Sequence, residues 1–324
     1  MPDPVRACVP PAAVPILLLA GLSACGGEPR PDGSDAGDAA PPATTDDPSA
    51  RPRISILGRG VVSTAAPEFA ASVTPDGRTL FFNRASADRR KLTVMISERT
   101  ADGWGSPRPA PFSGTHRDLD AFVTPDGGRV WFNSDRRAAG DFDIWYVERI
   151  RDGWGEPVRP GAPLNSDSAE FFVSTTRHGE LYFTSARAGP LRVYRARREG
   201  TAWRMPEAVP FDAPASPGNP LVGPDGTYLV FVAAGPDGSP DLWVRCRRDG
   251  AWGEATRLPG PVNSPHADFA PGLDPTDGSL LFTSERPGMA GPRPDSVRPP
   301  GDLYRSSVRP AERCRRTGRQ GGSP

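Results

Sequence analysis

Short apolar runs of β-branched and aromatic residues recur between residues 54 and 308, and each stops at a turn. "VTPDGRTLFF", "VTPDGGRVWF", "STTRHGELYF", "VGPDGTYLVF" and "LDPTDGSLLFTSER" are five versions of one phrase. In its Pro-Asp-Gly form Pro fixes φ, Asp bonds the backbone beyond it and Gly accepts positive φ, which predicts a tight turn between two strands. A third run follows in four units, "LTVMISER", "FDIWYVER", "LRVYRARR" and "DLWVRCRR", and after each comes a Trp turn. Those tryptophans, Trp104, Trp154, Trp203 and Trp252, lie 50, 49 and 49 residues apart. No stretch has helical periodicity. Four short strands about every 50 residues predict an all-β fold, a β-propeller of four-stranded blades. Repeats near 68–112, 118–160, 170–210, 217–260 and 268–308 give five blades, or six if a degenerate unit is hidden.

The two ends of the repeat region complement each other. The fifth unit stops after "GDLYRSSV" without a Trp turn, while "ISILGRGVVSTAAPEF" (54–69) aligns without a gap on "EPVRPGAPLNSDSAEF" (156–171). An amino-terminal strand is therefore expected to complete the last blade and cover its open edge.

"TPDGGRVWFNSDR" with the following "DFDIWYV" resembles the WD40-like repeat found in TolB, in periplasmic parts of some OmpA-type proteins and beside prolyl-peptidase catalytic domains. The resemblance covers 54–308 and implies fold rather than activity. TolB itself has six blades and a further amino-terminal domain, so the likeness is to the repeat. No Gly-x-Ser-x-Gly nucleophile elbow accompanies it.

The first 25 residues read as an export signal: Arg6, an apolar run over 12–22 too short for a bilayer, then "LSAC" ending at Cys25. "LSAC" resembles the bacterial lipobox, which implies cleavage before Cys25 and its lipidation, with Gly26 favouring the outer membrane. Residues 26–53, rich in Pro, Gly, Asp and Ser, are expected to be a disordered tether, and 309–324 a disordered basic tail. A balance of 39 basic and 39 acidic residues gives no reason to expect nucleic acid or an anionic membrane surface as partner. The membrane contact is expected through the lipid alone, on a monomeric propeller. Cys246 and Cys314 remain in the mature chain, and spacing leaves open whether they pair.

Two columns of the repeat carry charge. Seven residues before each turn Pro, or its equivalent, stand Glu68, Asp118, Glu170, Pro217 and Asp268. Four residues past the Phe of the second strand stand Ser86, Arg136, Arg187, Gly235 and Arg286, with Arg84 two places early in blade 1. Blade 4 lacks both acid and Arg, which points to acid–guanidinium pairs as a repeated structural clamp. The competing reading is a carboxylate ring at the channel that binds a cation or a basic peptide.

Residues that break a repeat are the better candidates for chemistry, because catalysis needs unlike groups at one point. Asp120 is an extra acid beside the second-blade column, while His116, His178 and His266 fall on linkers and a turn. No His or Cys spacing points to a metal, and no cofactor is expected. Blade 5 also carries an insertion, 289–300, whose Met289, Arg293, Asp295 and Arg298 form a candidate binding loop. Together these features suggest a non-catalytic envelope scaffold that binds a protein, or a peptide or glycan of the cell wall. The alternatives are a glycan hydrolase or lyase using carboxylates at the channel rim, and a purely structural spacer.

Overall fold

A computed structural model describes residues 51–211, 217–289 and 300–319. They form a five-bladed β-propeller followed by one helix. The inner strands of blades 1 to 5 are Glu68–Val73, Asp118–Val123, Glu170–Thr175, Gly218–Val222 and Asp268–Leu273. Each inner strand contacts those of both neighbouring blades, so the ring is closed. The second strands, Thr79–Ala85, Arg129–Ala138, Leu181–Ser185, Tyr228–Ala234 and Leu280–Ser284, are enclosed by blades on both sides. That is why they read as continuous apolar runs rather than alternating ones.

The amino-terminal strand Ile54–Ile56 pairs antiparallel with Asp302–Ser306, Ile54 opposite Ser306 and Ile56 opposite Tyr304. It supplies the outer strand that blade 5 lacks, as the alignment of the two ends predicts.

Every inner strand has a bulge near its start, at the third residue in four blades and the second in blade 4. Ala70, Asp120, Phe172, Asn219 and Ala270 all take φ near +50°, and the register of all five strand pairs shifts there. Non-glycine residues resist this conformation, so something must hold them. In four blades that grip comes from the preceding blade, from the residue after the second-strand Phe. Asn83 accepts from Asp120 N–H at 2.8 Å, and Asn133 from Phe172 N–H at 2.8 Å. Thr184 accepts from Asn219 N–H at 3.1 Å, and Thr283 from Ala70 N–H at 3.1 Å. The same position in blade 4 is Val232, which has no such group.

The Trp turns form a second tie between blades. Trp154 meets Phe81 of blade 1, Trp203 meets Trp131 of blade 2, and Trp252 meets Tyr182 of blade 3, all edge-on. Trp104 packs with Leu281 of blade 5. An Arg lies over each indole: Arg99, Arg149, Arg198 and Arg247. Blade 5 has no Trp turn to lay on blade 4.

That junction is closed by the chain's end, which corrects the expectation of a disordered tail from 309. Pro310–Arg319 is an α-helix, with Pro at its start and Glu312 in its first turn. Val308, Ala311 and Cys314 pack on Tyr228 and Val230 of blade 4, Val230 being the counterpart of Phe81, Trp131 and Tyr182. Cys314 is disulfide-bonded to Cys246 in the third strand of blade 4. The helix was illegible because "PAERCRRTGR" offers little besides Ala and Cys to bury, and docking rather than propensity holds it.

Candidate functional site

The repeat acids begin the inner strands on the face opposite the Pro-Asp-Gly turns. Glu68, Asp118, Glu170 and Asp268 are fully buried, and each meets an Arg of its own blade. The pairs are Glu68–Arg84 at 2.7 Å, Asp118–Arg136 at 2.8 Å, Glu170–Arg187 at 3.2 Å and Asp268–Arg286 at 2.7 Å. The Arg also donates to carbonyls of the linker entering the blade: Val61 and Val62, Phe112, Pro163 and Leu164, Pro261 and Val262. In three blades a linker hydroxyl four residues before the acid, on Thr64, Ser166 or Ser264, donates to the carboxylate. These groups tie the linker to its blade and bury all four acids, with one oxygen of Asp118 left without a hydrogen bond. Burial still pushes Glu68 and Glu170 above the usual carboxylate range, against the opposing pull of those hydrogen bonds and of the Arg.

Two contributors to the clamp escaped the columns read from sequence. Ser134, Ser185 and Ser284 accept from the Nε of Arg136, Arg187 and Arg286 and set the guanidinium. Their signal was present as Ser-x-Arg in "FNSDR", "FTSAR" and "FTSER". The Asn and Thr bridges described above follow the same Phe and were readable in the same way.

Asp120 is placed differently. It lies two residues along the strand from Asp118, at the bulge, and its backbone N–H is held by Asn83. Its side chain is buried, with a residue exposure of 8%, and among the described residues none forms an ion pair or a hydrogen bond with its carboxylate. Burial alone raises its pKa from 3.8 to about 7.

Asp120 lines a cavity of about 50 Å³ on the propeller axis, walled by inner strands of all five blades. Ala70, Phe172 and Ala270, from blades 1, 3 and 5, pack across the axis together with Phe69, Phe171 and Phe269 and close its floor. The mouth, on the turn face, is rimmed by Pro75, Pro125, Pro224 and Pro275. Among the described lining residues Asp120 is the one ionisable side chain. Thr175, also in the lining, has a buried hydroxyl oxygen without a hydrogen-bond partner.

Other polar residues lie elsewhere. His116 borders a hollow on the acid face, with Arg90, Lys91, Arg117 and Arg137. Asp143 and Asp241 lie near the starts of the third strands Asp141–Ile150 and Pro240–Arg248 and are bound by Arg159 and Arg257, while Asp302 accepts from Met289 N–H at 2.8 Å. Arg293, Asp295 and Arg298 of the blade 5 insertion lie outside the described residues, as does Cys25. No described helix is long and apolar enough to cross a membrane.

No protein-family model matches the chain, and no curated protein does. Solved structures do. A protein of Agrobacterium tumefaciens assigned as TolB is 17% identical over 72% of this chain and 78% of its own, with a TM-score of 0.48. TolB from Acinetobacter baumannii is 13% identical over 76% of this chain and 55% of its own, at 0.44. A gluconolactonase from Xanthomonas campestris is 15% identical over 79% and 94%, at 0.46. The likeness is one of fold.

Proposed function

We propose that the protein is a non-catalytic, lipid-anchored scaffold of the bacterial envelope, tethered to the outer membrane through Cys25. Its propeller binds a protein, or a peptide or glycan of the cell wall, at the axial mouth on the turn face. The observation that carries this reading is the division of the acids: four are consumed in buried ion pairs, and one stands unpaired in a walled cavity. A cavity walled largely by apolar groups with one or two placed polar ones suits recognition. The test is capture from envelope extract by the intact protein and by a Pro275→Trp variant, whose indole would stand at the exposed rim. A ligand retained by the first and lost by the second supports the reading; equal retention refutes the assignment to this face.

One observation favours a second reading. A carboxyl group poised near pH 7 suits a general acid, as a glycan hydrolase requires. Glycosidases of the usual kind need a second carboxylate across the scissile bond, and the four repeat acids are tied to arginines. Wall glycan shortened by the protein, with turnover abolished in Asp120→Asn, would establish the enzyme over the scaffold.

A further inference from the structure

Asp120 needs a reason to be charged. Its left-handed backbone is not that reason: the equivalent positions hold Ala, Phe, Asn and Ala, and Asn219 shows that a neutral side chain of the same shape serves there. Nor does packing explain it. A carboxylate buried without partners costs free energy that Ala70 and Ala270 avoid. Unmatched buried charge that persists at one of five equivalent positions points to a counter-charge from outside.

The cavity restricts what that counter-charge can be. About 50 Å³ is room for roughly three to five water-sized groups, enough for a compact head but cramped for a planar guanidinium with its five donors. One carboxylate and one hydroxyl fall well short of the six to eight oxygens that Ca²⁺ takes, and no group of three or more metal-ligating side chains occurs among the described residues. An ammonium has three donors and a methylene stem. It matches a single acid in an apolar wall whose rim is proline.

We propose that the axial cavity is a recognition site for a primary ammonium group on a partner segment, with Asp120 as its counter-charge. This deepens the scaffold reading and rests on it. A lysine side chain and an amino terminus share the chemistry. No charged group from the other blades lines the cavity, and within its own strand Asp118 is already bound to Arg136. The charge on Asp120 therefore governs the site, and binding strengthens as pH rises through about 7.

The test is an NMR titration of the purified protein with n-butylammonium, a mimic of the lysine side chain, and with glycinamide, a mimic of the amino terminus. n-Butanol is the neutral control and CaCl₂ a separate arm. Saturable binding of one or both amines is expected at pH 7.5, roughly 20-fold weaker at pH 5.5 because the acid is then protonated. Asp120→Asn should abolish it. The two amines distinguish a side-chain ligand from a terminal one. Equal binding of n-butanol, retention by a folded Asp120→Asn variant, tighter binding at pH 5.5, or preferential binding of Ca²⁺ overturns the proposal. Partner capture that Pro275→Trp abolishes and Asp120→Asn leaves intact would sink the ammonium site and leave the scaffold reading standing. Amine binding with no partner captured would do the reverse.

Discussion

The propeller departs from its own repeat in two places, the junction of blades 4 and 5 and the axial position of Asp120, and it treats them differently. At the junction Val232 replaces the bridging Asn or Thr, and no Trp turn reaches blade 4 from blade 5. Both losses are made good, by the helix Pro310–Arg319 and the Cys246–Cys314 disulfide. At Asp120 a charge is added and nothing among the described residues answers it. A compensated departure is a repair and bears on stability. The uncompensated one is where the proposed ammonium site is placed.

The largest expected effect comes from breaking a repeat device where nothing replaces it. Glu170→Ala strands the guanidinium of Arg187, which is mostly buried, and should cost about 3–5 kcal/mol, read as a lower midpoint in chemical denaturation. Cys246→Ser tests the repair. The bridge spans 68 residues, so chain entropy puts its loss at about 4 kcal/mol, with reductant producing a matching drop in the wild type and none in the variant. An unchanged midpoint would mean that the helix alone closes the junction.

Asp120→Asn should act in the opposite direction, and with pH. The folded state raises the proton affinity of Asp120 above the ordinary value of 3.8, so its burial costs little below pH 4. The cost grows as the pH climbs to about 7, where it levels off. Stability of the variant relative to wild type should therefore rise by about 3–4 kcal/mol between pH 4 and pH 8, seen as a widening gap in thermal midpoint. A gap independent of pH would mean that Asp120 is paired. The smallest effect is expected from Val232→Thr, which restores the hydroxyl that bridges elsewhere to the next bulge; it should add about 1 kcal/mol and soften the penalty of Cys246→Ser.

Sequence carried the repeated part of this molecule well and the unique part poorly. Turn chemistry and 50-residue spacing exposed five blades, and the aligned ends exposed the closing strand, because each is written several times. Acid and Arg columns were visible through their joint absence from blade 4, where Pro217 and Gly235 stand. The bulge was invisible, since Ala70, Phe172 and Ala270 are no signal for a left-handed backbone. Asp120 was legible as an acid that breaks the repeat, but its place in the cavity was not, because the bulge turns it there. The pairing of Cys246 with Cys314 depended on a helix whose docking surface is assembled from two blades, information that no local window holds.

The central claim is that Asp120 is an unmatched charge on the axis, and the pKa of that one carboxyl tests it most directly. Carbon-13 NMR of labelled aspartate side chains, assigned with Asp120→Asn, reads it without a ligand. The account predicts a midpoint at about 7, falling when an amine is bound. A midpoint near the ordinary 3.8 would show that the charge is already satisfied within the chain, and would remove the reason for placing a ligand there.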